Sequence, residues 1–310
     1  MTSSEPGFFG SIWRGFLRGI GFGLALTIVP TVMILGLAFF LMDDDIEDDP
    51  YQDEVKTEHA VAVVDLKGEI FDAERFRKEL EQALESDLIK AVVVRINSPG
   101  GGVAASEEMF SLIRDAKQKK PVVCSLGSIA ASGGLYASLG CDKVVTYAGT
   151  LTGSIGVIVM MPEVHKIVEN LGAGMNVIKS GRFKDVGSPF RAMSDDDRTL
   201  VQKLVNDTYE QFIKAVSTNR SIPLEEVRKF ADGRIILGED AVKLGLAHEI
   251  GDVTRAAVLA LQIKNDRSEP ELIYPLKPSG LERLFGPEEW SFIRFFKTQT
   301  EFQVLYKAFL

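Results

Sequence analysis

Residues 89–102 read IKAVVVRINSPGGG, and this stretch gives the clearest indication of the fold. Its first part, Ile89–Ile96, is mostly β-branched and apolar, which predicts a strand that is buried on both faces of a parallel sheet. Its second part, Asn97–Gly102, is a glycine-rich loop that leads into an amphipathic helical pattern at Ser106–Lys119. A strand, a glycine loop and a helix in this order indicate one unit of an α/β fold.

The same alternation continues on both sides of this unit. Similar apolar runs predict strands at Ala60–Leu66, Pro121–Leu126, Lys143–Tyr147, Ile155–Met161 and Met175–Ile178. Amphipathic patterns predict helices at Asp72–Ser86, from Ser194 to about Asn219, and at Pro223–Ala231, Glu239–Leu244 and Val253–Lys264. Ser194 is the expected cap of the longest helix, because three aspartates follow it in the first turn. We therefore expect a parallel sheet with packed helices.

The amino-terminal part of the chain carries a candidate membrane anchor. Gly19–Met42 contains 24 residues without a charge, and a helix of that length crosses a hydrocarbon core of roughly 30 Å. The run is longer than the apolar core of a cleaved signal peptide, so we expect an uncleaved anchor; a buried core helix is the alternative. Arg14 and Arg18 precede the run and an acidic stretch follows it, which predicts a cytoplasmic amino terminus and an extracytoplasmic domain.

These features divide the chain into a cytoplasmic amino terminus (1–18), an anchor (19–42), an acidic linker (43–58), a folded domain (59–265) and a tail (266–310). The linker contains nine acidic residues and one lysine, and so carries nearly all of the net charge of −9. The folded part is close to neutral, which argues against nucleic-acid binding, because phosphate contacts need a basic face.

The chain has few candidate metal ligands. Its three histidines and two cysteines have no zinc-ligand spacing, and no phosphate-binding loop motif is present, so we expect neither a metal nor another cofactor. Cys124 lies in a predicted strand and Cys141 near a predicted helix end. We expect both to be small buried hydrophobic residues rather than a disulfide.

Three glycine-rich loops could hold a functional site: Asn97–Gly102, Gly127–Gly134 and Thr152–Gly156. The first two follow predicted strands, and ligands of α/β sheets gather at the carboxyl ends of strands. Glycine backbones allow close approach, and the N–H groups at a helix start can bind an oxyanion or a phosphate. Tight turns without a ligand are the alternative interpretation.

The polar stretch Lys179–Pro189 adds a candidate base. A serine hydroxyl at a helix start is a weak nucleophile without one, and no histidine lies in any of the glycine loops. A lysine can serve instead when burial lowers its pKa towards about 7–8. Lys184, between Phe183 and Asp185, is one candidate, and Lys179 is its rival.

Several of these stretches together resemble the bacterial signal peptide peptidase A family. The resemblance rests on Asn97–Gly102, Ala131–Gly134, Thr152–Gly156, Lys179–Pro189 and motifs between Ala231 and Leu246, and it covers roughly Val61 to Gly251. Members are membrane-anchored serine–lysine proteases with a crotonase- and Clp-like fold. The length of this chain is similar to that of the short members with one domain.

The resemblance also implies a role for individual residues. Ser132 matches the nucleophile, Lys184 matches the general base, and Ser154 matches a helper serine that hydrogen-bonds the lysine. Gly100 and the backbone N–H of Gly133 match the oxyanion hole. Such residues would perform acyl transfer through a covalent intermediate.

Two other serines of the same loop, Ser125 and Ser128, remain rival nucleophiles. The resemblance implies a serine endopeptidase of the inner membrane that cleaves remnant signal peptides and other extended apolar peptides. It also implies a homo-oligomer, an octameric ring in which neighbouring copies supply the serine and the lysine. The alternatives are an acyl-CoA enzyme on a crotonase fold and a non-catalytic ring scaffold for membrane proteins.

Overall fold

The computed structural model describes Thr31, Tyr51, residues 55–274 and the backbone of residues 305–307. The predicted amino-terminal segment, the anchor at 19–42, most of the acidic linker and most of the tail lie outside the described residues. Among the described residues, no helix is both long enough and apolar enough to cross a membrane.

The strands of the described residues are short, and most follow the apolar runs of the sequence. They are β1 (Ala60–Lys67), β2 (Ile89–Ser98), β3 (Gly100–Gly102), β4 (Val122–Ala130), β5 (Lys143–Thr146), β6 (Leu151–Gly153), β7 (Ile235–Leu237), β8 (Glu249–Ile250), β9 (Glu271–Ile273) and β10 (Leu305–Lys307).

The helices of the described residues alternate with the strands, as expected for an α/β fold. They are α1 (Glu74–Glu85), α2 (Val103–Ala116), α3 (Gly133–Ser138), α4 (His165–Asn170), α5 (Asp195–Arg220), α6 (Leu224–Phe230), α7 (Gly238–Lys243) and α8 (Val253–Ile263). The cap predicted for the longest helix is confirmed. Ser194 Oγ accepts the Asp197 N–H, and the Asp197 carboxylate accepts the Ser194 N–H, which is a capping box.

One mixed sheet organises the fold. Its strands run in the order β7-β6-β4-β2-β1-β9, while β5 pairs with β4 and β8 pairs with β5. All of these pairs are parallel except β6 with β7. Strand β4 has two neighbours on one side, because its first half pairs with β5 and its end, Ile129, pairs with Leu151 of β6. This split opens the sheet at the carboxyl end of β4, where the glycine loop begins.

The central strands are buried on both faces, as the continuous apolar runs predict. On one face, alternate valines such as Val63, Val93 and Val123 pack with the alanines of α8. On the other face, the intervening residues pack with α1, α2, α3 and the second half of α5. A valine buried in this way contributes about 1.5–3 kcal/mol relative to an exposed one.

Two predicted strands are wrong. Residues 155–161 and 175–178 contain no strand, and the nearest strand, β6, ends at Gly153. Met175 and Val177 are exposed and Ile178 is completely exposed, so this apolar run does not enter the sheet. The apolar composition of this run predicted a buried strand, but its side chains lie on the surface of the single chain.

The expectation for the cysteines is also wrong in part. Both are buried, but Cys124 and Cys141 form a disulfide across 17 positions of sequence. The bond links β4 to the turn after α3, and so it encloses the loop that contains Ser132. The packing of α3 against β4 brings the two thiols together, and no local pattern predicts that contact.

Candidate active site

Ser132 lies where β4 gives way to α3, as the N-cap of that helix. Its backbone has a φ of 52° and a ψ of −114°, a conformation that costs a residue with a side chain about 1–3 kcal/mol. Two contacts hold it there: the Ser132 N–H donates to Gly153 O at 2.9 Å, and the next turn begins with Gly134 N–H donating to Ala131 O at 2.9 Å. Strand β6 therefore fixes the backbone of the candidate nucleophile.

The Ser132 hydroxyl is buried, and its Oγ has no hydrogen-bond partner among the described residues. The rival serines have other environments. Ser125 Oγ accepts a hydrogen bond from Arg95 Nη1 at 2.7 Å and is buried in the sheet. Ser128 is exposed within β4 and does not begin a helix. Of these three, Ser132 is the hydroxyl that is placed at a helix start and left free to react.

The backbone around Ser132 is crowded with glycine. A Cβ on Gly133 would lie 2.3 Å from Ser106 Oγ and 3.2 Å from both Gly100 Cα and Gly101 N, so the two glycine loops are in contact. Gly133 is the first residue of α3, so its N–H has no acceptor within the helix. The structure thus brings the predicted oxyanion donors Gly133 and Gly100 together.

One of these two donors is already engaged. The Gly100 N–H donates to Ser98 Oγ at 3.1 Å, and Gly100 itself has a φ of 104°. The neighbouring Gly101 was not singled out from the sequence, but its N atom is on the same side as Gly133. Residue 101 must be glycine, since a Cβ on it would lie 2.0 Å from Ile70 O.

Ser154, the predicted helper serine, lies beside the nucleophile. It directly follows Gly153, the residue whose carbonyl accepts the Ser132 N–H, and its own N–H donates to Arg234 O at 2.7 Å. Its φ of 49° is again positive, and its side chain is largely buried. A cavity of about 500 Å³ opens next to it, between the residues after β6, helix α5 and the turn at Asp232.

The structure does not join Lys184 to Ser132 within one chain. Lys184 is exposed, on an irregular segment between α4 and α5, and Ser132 Oγ has no partner among the described residues. Residues 157–190, which include α4 and most of this segment, expose several large apolar side chains, among them Ile167, Leu171 and Ile178.

The rival base, Lys179, is occupied. Its Nζ donates to Asp185 Oδ1 at 2.5 Å and to Arg182 O at 3.1 Å, so this amine is held within its own turn. Hydrogen bonds from Arg191 and Lys179 lower the pKa of Asp185 to about 2, so this partner stays ionised. Lys184, in contrast, has no carboxylate partner among the described residues.

The histidines do not supply a base at this site. His248 Nδ1 accepts the Val144 N–H at 2.9 Å, His59 lies 2.8 Å from Asp266, and His165 lies 3.2 Å from Glu163. His248 and His59 are therefore engaged elsewhere, and His165, whose Nδ1 has no hydrogen-bond partner among the described residues, does not bond to Ser132. A serine at a helix start, with no hydrogen bond to its hydroxyl among the described residues and with glycine backbone beside it, is an arrangement that serine hydrolases use.

Comparison with known proteins narrows this class. A family model described as peptidase family S49 matches residues 114–265. A candidate protease of Synechocystis sp. is 36% identical over 236 residues, 74% of this chain and 84% of the relative. A candidate signal peptide peptidase, SppA, of Enterococcus faecium is 36% identical over 186 residues, 59% of this chain and 54% of the relative. The chain belongs to peptidase family S49, the signal peptide peptidase A family, and is a serine protease of that family.

A solved structure gives a weaker match. A ClpP1 mutant from Listeria monocytogenes superposes with a TM-score of 0.42 at 18% identity, covering 63% of this chain and 94% of that chain. Family membership confirms the family named from the sequence motifs, and it favours a peptidase over the acyl-CoA alternative.

Proposed function

We propose that this chain is a membrane-anchored serine endopeptidase with Ser132 as nucleophile and Lys184 as general base. The observation that carries the proposal is the Ser132 hydroxyl, buried without a partner at the start of α3 and beside the glycine backbone. A buried hydroxyl without a hydrogen bond costs about 1–3 kcal/mol, so its retention suits a reacting group.

In the first half-reaction, neutral Lys184 takes the Ser132 proton while Oγ forms a bond to the peptide carbonyl carbon. The carbonyl oxygen becomes an oxyanion, which the Gly133 N–H and a donor of the Gly100–Gly101 turn stabilise. Ser154 Oγ orients the lysine Nζ. The tetrahedral intermediate then expels the amine, which receives the proton held by Lys184, and the acyl chain remains on Ser132.

In the second half-reaction, water replaces the amine. Lys184 removes a proton from the water as its oxygen attacks the acyl-enzyme, and the proton returns to Ser132 Oγ when the ester bond breaks. Gly100 must exchange its acceptor, Ser98 Oγ, for the oxyanion if it takes part. The N–H of Gly133 needs no such exchange.

The strand pairing beside this site supports extended peptides, which would take the position that β10 holds against β3. Strand β10 pairs antiparallel with β3, with Leu305 opposite Gly102 and Lys307 opposite Gly100. The glycine backbone therefore accepts a strand through main-chain hydrogen bonds, a common mode of peptide recognition. This supports peptide substrates bound in extended form, with remnant signal peptides as the class that the family suggests.

Two features support the proposed compartment. The uncharged segment at 19–42 supports an inner-membrane anchor with the amino terminus inside. The Cys124–Cys141 disulfide supports an oxidising compartment for the folded domain, since disulfides are rare in the cytosol. Both features favour an extracytoplasmic active site.

The proposed active site is assembled between copies of this chain. Among the residues that the structure describes, none hydrogen-bonds the Ser132 hydroxyl, while Lys184 lies on a segment that exposes a series of apolar side chains. Exposed apolar surface of this extent marks a protein contact. A head-to-tail ring, octameric as the family suggests, would bring Lys184 of one copy to Ser132 of the next.

Labelling with a fluorophosphonate tests the nucleophile. The full chain in detergent should be modified on Ser132, and Ser132→Ala should lose both labelling and peptide hydrolysis while it unfolds at the parent temperature or above, because the hydroxyl that is removed has no hydrogen bond among the described residues. The matched control is Ser128→Ala, an exposed serine of the preceding strand, which should label and hydrolyse like the parent chain. Hydrolysis by Ser132→Ala at the parent rate would refute the assignment.

A further inference from the structure

We propose that Arg191 is a positioning residue for Lys184, because it ties the turn that carries the lysine to the amino terminus of α5. This inference rests on the proposed role of Lys184 as the base. It concerns residues that do not touch the reacting atoms, namely Asp185, Arg191 and Asp197.

The turn around Lys184 is weakly held by its own backbone. Lys184 N–H donates to Gly181 O at 3.1 Å and Val186 N–H to Phe183 O at 3.2 Å, and the run from 171 to 184 is exposed. A lysine on such a segment has many accessible positions, and fixing them costs conformational entropy. A general base, however, must reach hydrogen-bonding distance of the proton it removes.

Arg191 supplies the missing constraint through a fork of hydrogen bonds. Its Nε donates to Asp185 Oδ2 at 3.0 Å and its Nη2 to Asp185 Oδ1 at 2.9 Å, while Nη2 also lies 3.2 Å from Asp185 O. The same guanidinium reaches the helix, since Nη1 donates to Asp197 Oδ2 at 2.5 Å. Asp185 is bonded to Lys184 in sequence, so the fork fixes the position of the adjacent peptide unit.

The anchor at the other end is rigid. Asp197 is buried, and its carboxylate also closes the capping box of α5 by accepting the Ser194 N–H. Helix α5 is fixed in turn by Phe212, which packs edge-on against Tyr136 of α3 at 5.2 Å between ring centroids. Contacts thus run from the turn of Lys184 through α5 to the helix that begins after Ser132.

The same network leaves Lys184 without a carboxylate partner in the part of the chain that the structure describes. Lys179 and Arg191 pair with Asp185, Arg191 also pairs with Asp197, and Arg182 pairs with Asp196. The carboxylates nearest in sequence are therefore taken by other cations. A lysine that must act as a neutral base is better without a carboxylate partner, because such a partner stabilises its charged form.

Substitution of Arg191 in the full chain tests the inference. Arg191→Met and Arg191→Lys should each lower kcat by about 10- to 100-fold, since a misplacement of about 1 Å has effects of that size. KM should stay near the parent value, because the peptide-binding edge at β3 is untouched. Lysine cannot reproduce the planar fork, so Arg191→Lys should not rescue activity.

The matched control is Arg182→Met, which removes a neighbouring ion pair of the same turn, with Asp196, where both side chains are exposed. Its kcat should equal that of the parent chain. Light scattering reports whether the variants still assemble. A parent-like kcat in Arg191→Lys, or a loss of activity that follows a loss of assembled mass, would overturn the positioning role.

A second arm separates this inference from the proposed function. In Lys184→Ala, a small primary amine added to the assay can act as the base in place of the positioned lysine. The activity obtained with this amine should be the same in Lys184→Ala and in the double variant Lys184→Ala/Arg191→Met. An additional loss there would mean a structural role for Arg191 and overturn the inference. If Lys184→Ala alone keeps the parent activity, the proposed base is wrong, whereas an inactive Lys184→Ala with a fully active Arg191→Met refutes the positioning role alone.

Discussion

At the scale of single residues, Ser132 combines three unfavourable properties. It has a positive φ, it is completely buried, and its hydroxyl has no hydrogen bond among the described residues. A residue keeps such a conformation only when its surroundings determine it. Here they do, through the bond to Gly153 O and through the disulfide that closes the loop from Cys124 to Cys141.

The contact between the two glycine loops gives a prediction for Gly133→Ala. The new methyl would lie 2.3 Å from Ser106 Oγ, on a side chain held by its own bond to Gly102 O, so the turn must shift. We expect kcat/KM to fall by about 100-fold, because the oxyanion donor and Ser132 move together.

Gly149→Ala is the control for this prediction, since a Cβ at Gly149 meets nothing within 4 Å. It should hydrolyse a peptide substrate at the parent rate. A Gly133→Ala protein as active as this control would show that the Gly133 N–H does not stabilise the transition state.

At the scale of elements, much of the sheet could be predicted from the sequence. Strands β1, β2, β4 and β5 lie on the predicted apolar runs, and the cap of α5 was identified from Ser194 and the aspartates that follow it. These features depend on local amino-acid composition and on the spacing of apolar residues along the chain. The same signals located the glycine loops that meet at Ser132.

The predictions that were wrong, or were not made, depend on contacts distant in sequence. Met175–Ile178 has the composition of a buried strand, but its apolar side chains are exposed. Sequence alone cannot distinguish an apolar run that enters the sheet from one that stays on the surface of the chain. The Cys124–Cys141 disulfide depends on the packing of α3 against β4, and the pairing of Lys179 with Asp185 depends on how an irregular segment turns. No spacing rule could have found them.

The pairing of the Lys184 turn with α5 predicts a dependence on acid. Hydrogen bonds from Arg191 hold the pKa of both Asp185 and Asp197 below the ordinary value near 4, with Asp185 at about 2. Because the folded state binds these protons less readily than the unfolded chain, their stabilising contribution is complete above about pH 4. This stabilising contribution decreases as the pH falls from about 4 towards the lowered pKa of Asp185, about 2.

The measurement is the temperature of thermal unfolding as a function of pH. In the parent chain it should fall between about pH 4 and pH 2, and the fall should be smaller in Arg191→Met, where the partner of both carboxylates is gone. Equal slopes in the two proteins would mean that other carboxylates dominate acid unfolding.

At the scale of the whole molecule, the first half of α5 and the segment before it are exposed. Between Asp195 and Tyr209 only Asp197 is buried, and the apolar side chains of Leu200 and Leu204 face solvent. At about 1.5 Å per residue, α5 extends roughly 22 Å from Phe212 in the core to Asp197 beside the Lys184 turn. A base carried on such a projection is suited to a site on a neighbouring copy.

Complementation tests that arrangement. Ser132→Ala and Lys184→Ala subunits should each be inactive, but a site that takes its serine from one copy and its lysine from the next can combine the intact residues. In randomly mixed rings with equal amounts of the two, about one quarter of the sites are complete. Peptide hydrolysis should therefore return to about a quarter of the parent rate.

A mixture of parent subunits with a double variant provides the control. The fraction of complete sites in this mixture differs between a dyad that spans two copies and a dyad within one copy. In rings that mix parent subunits with an equal amount of the double variant Ser132→Ala/Lys184→Ala, about one quarter of all sites are complete if the dyad spans two copies, and about one half if it lies within one. Mass measurement of the mixed oligomer confirms that the subunits have exchanged. No recovery in the first mixture, together with half activity in the second, would place Ser132 and Lys184 in the same chain and require the segment around Lys184 to fold back onto its own α3.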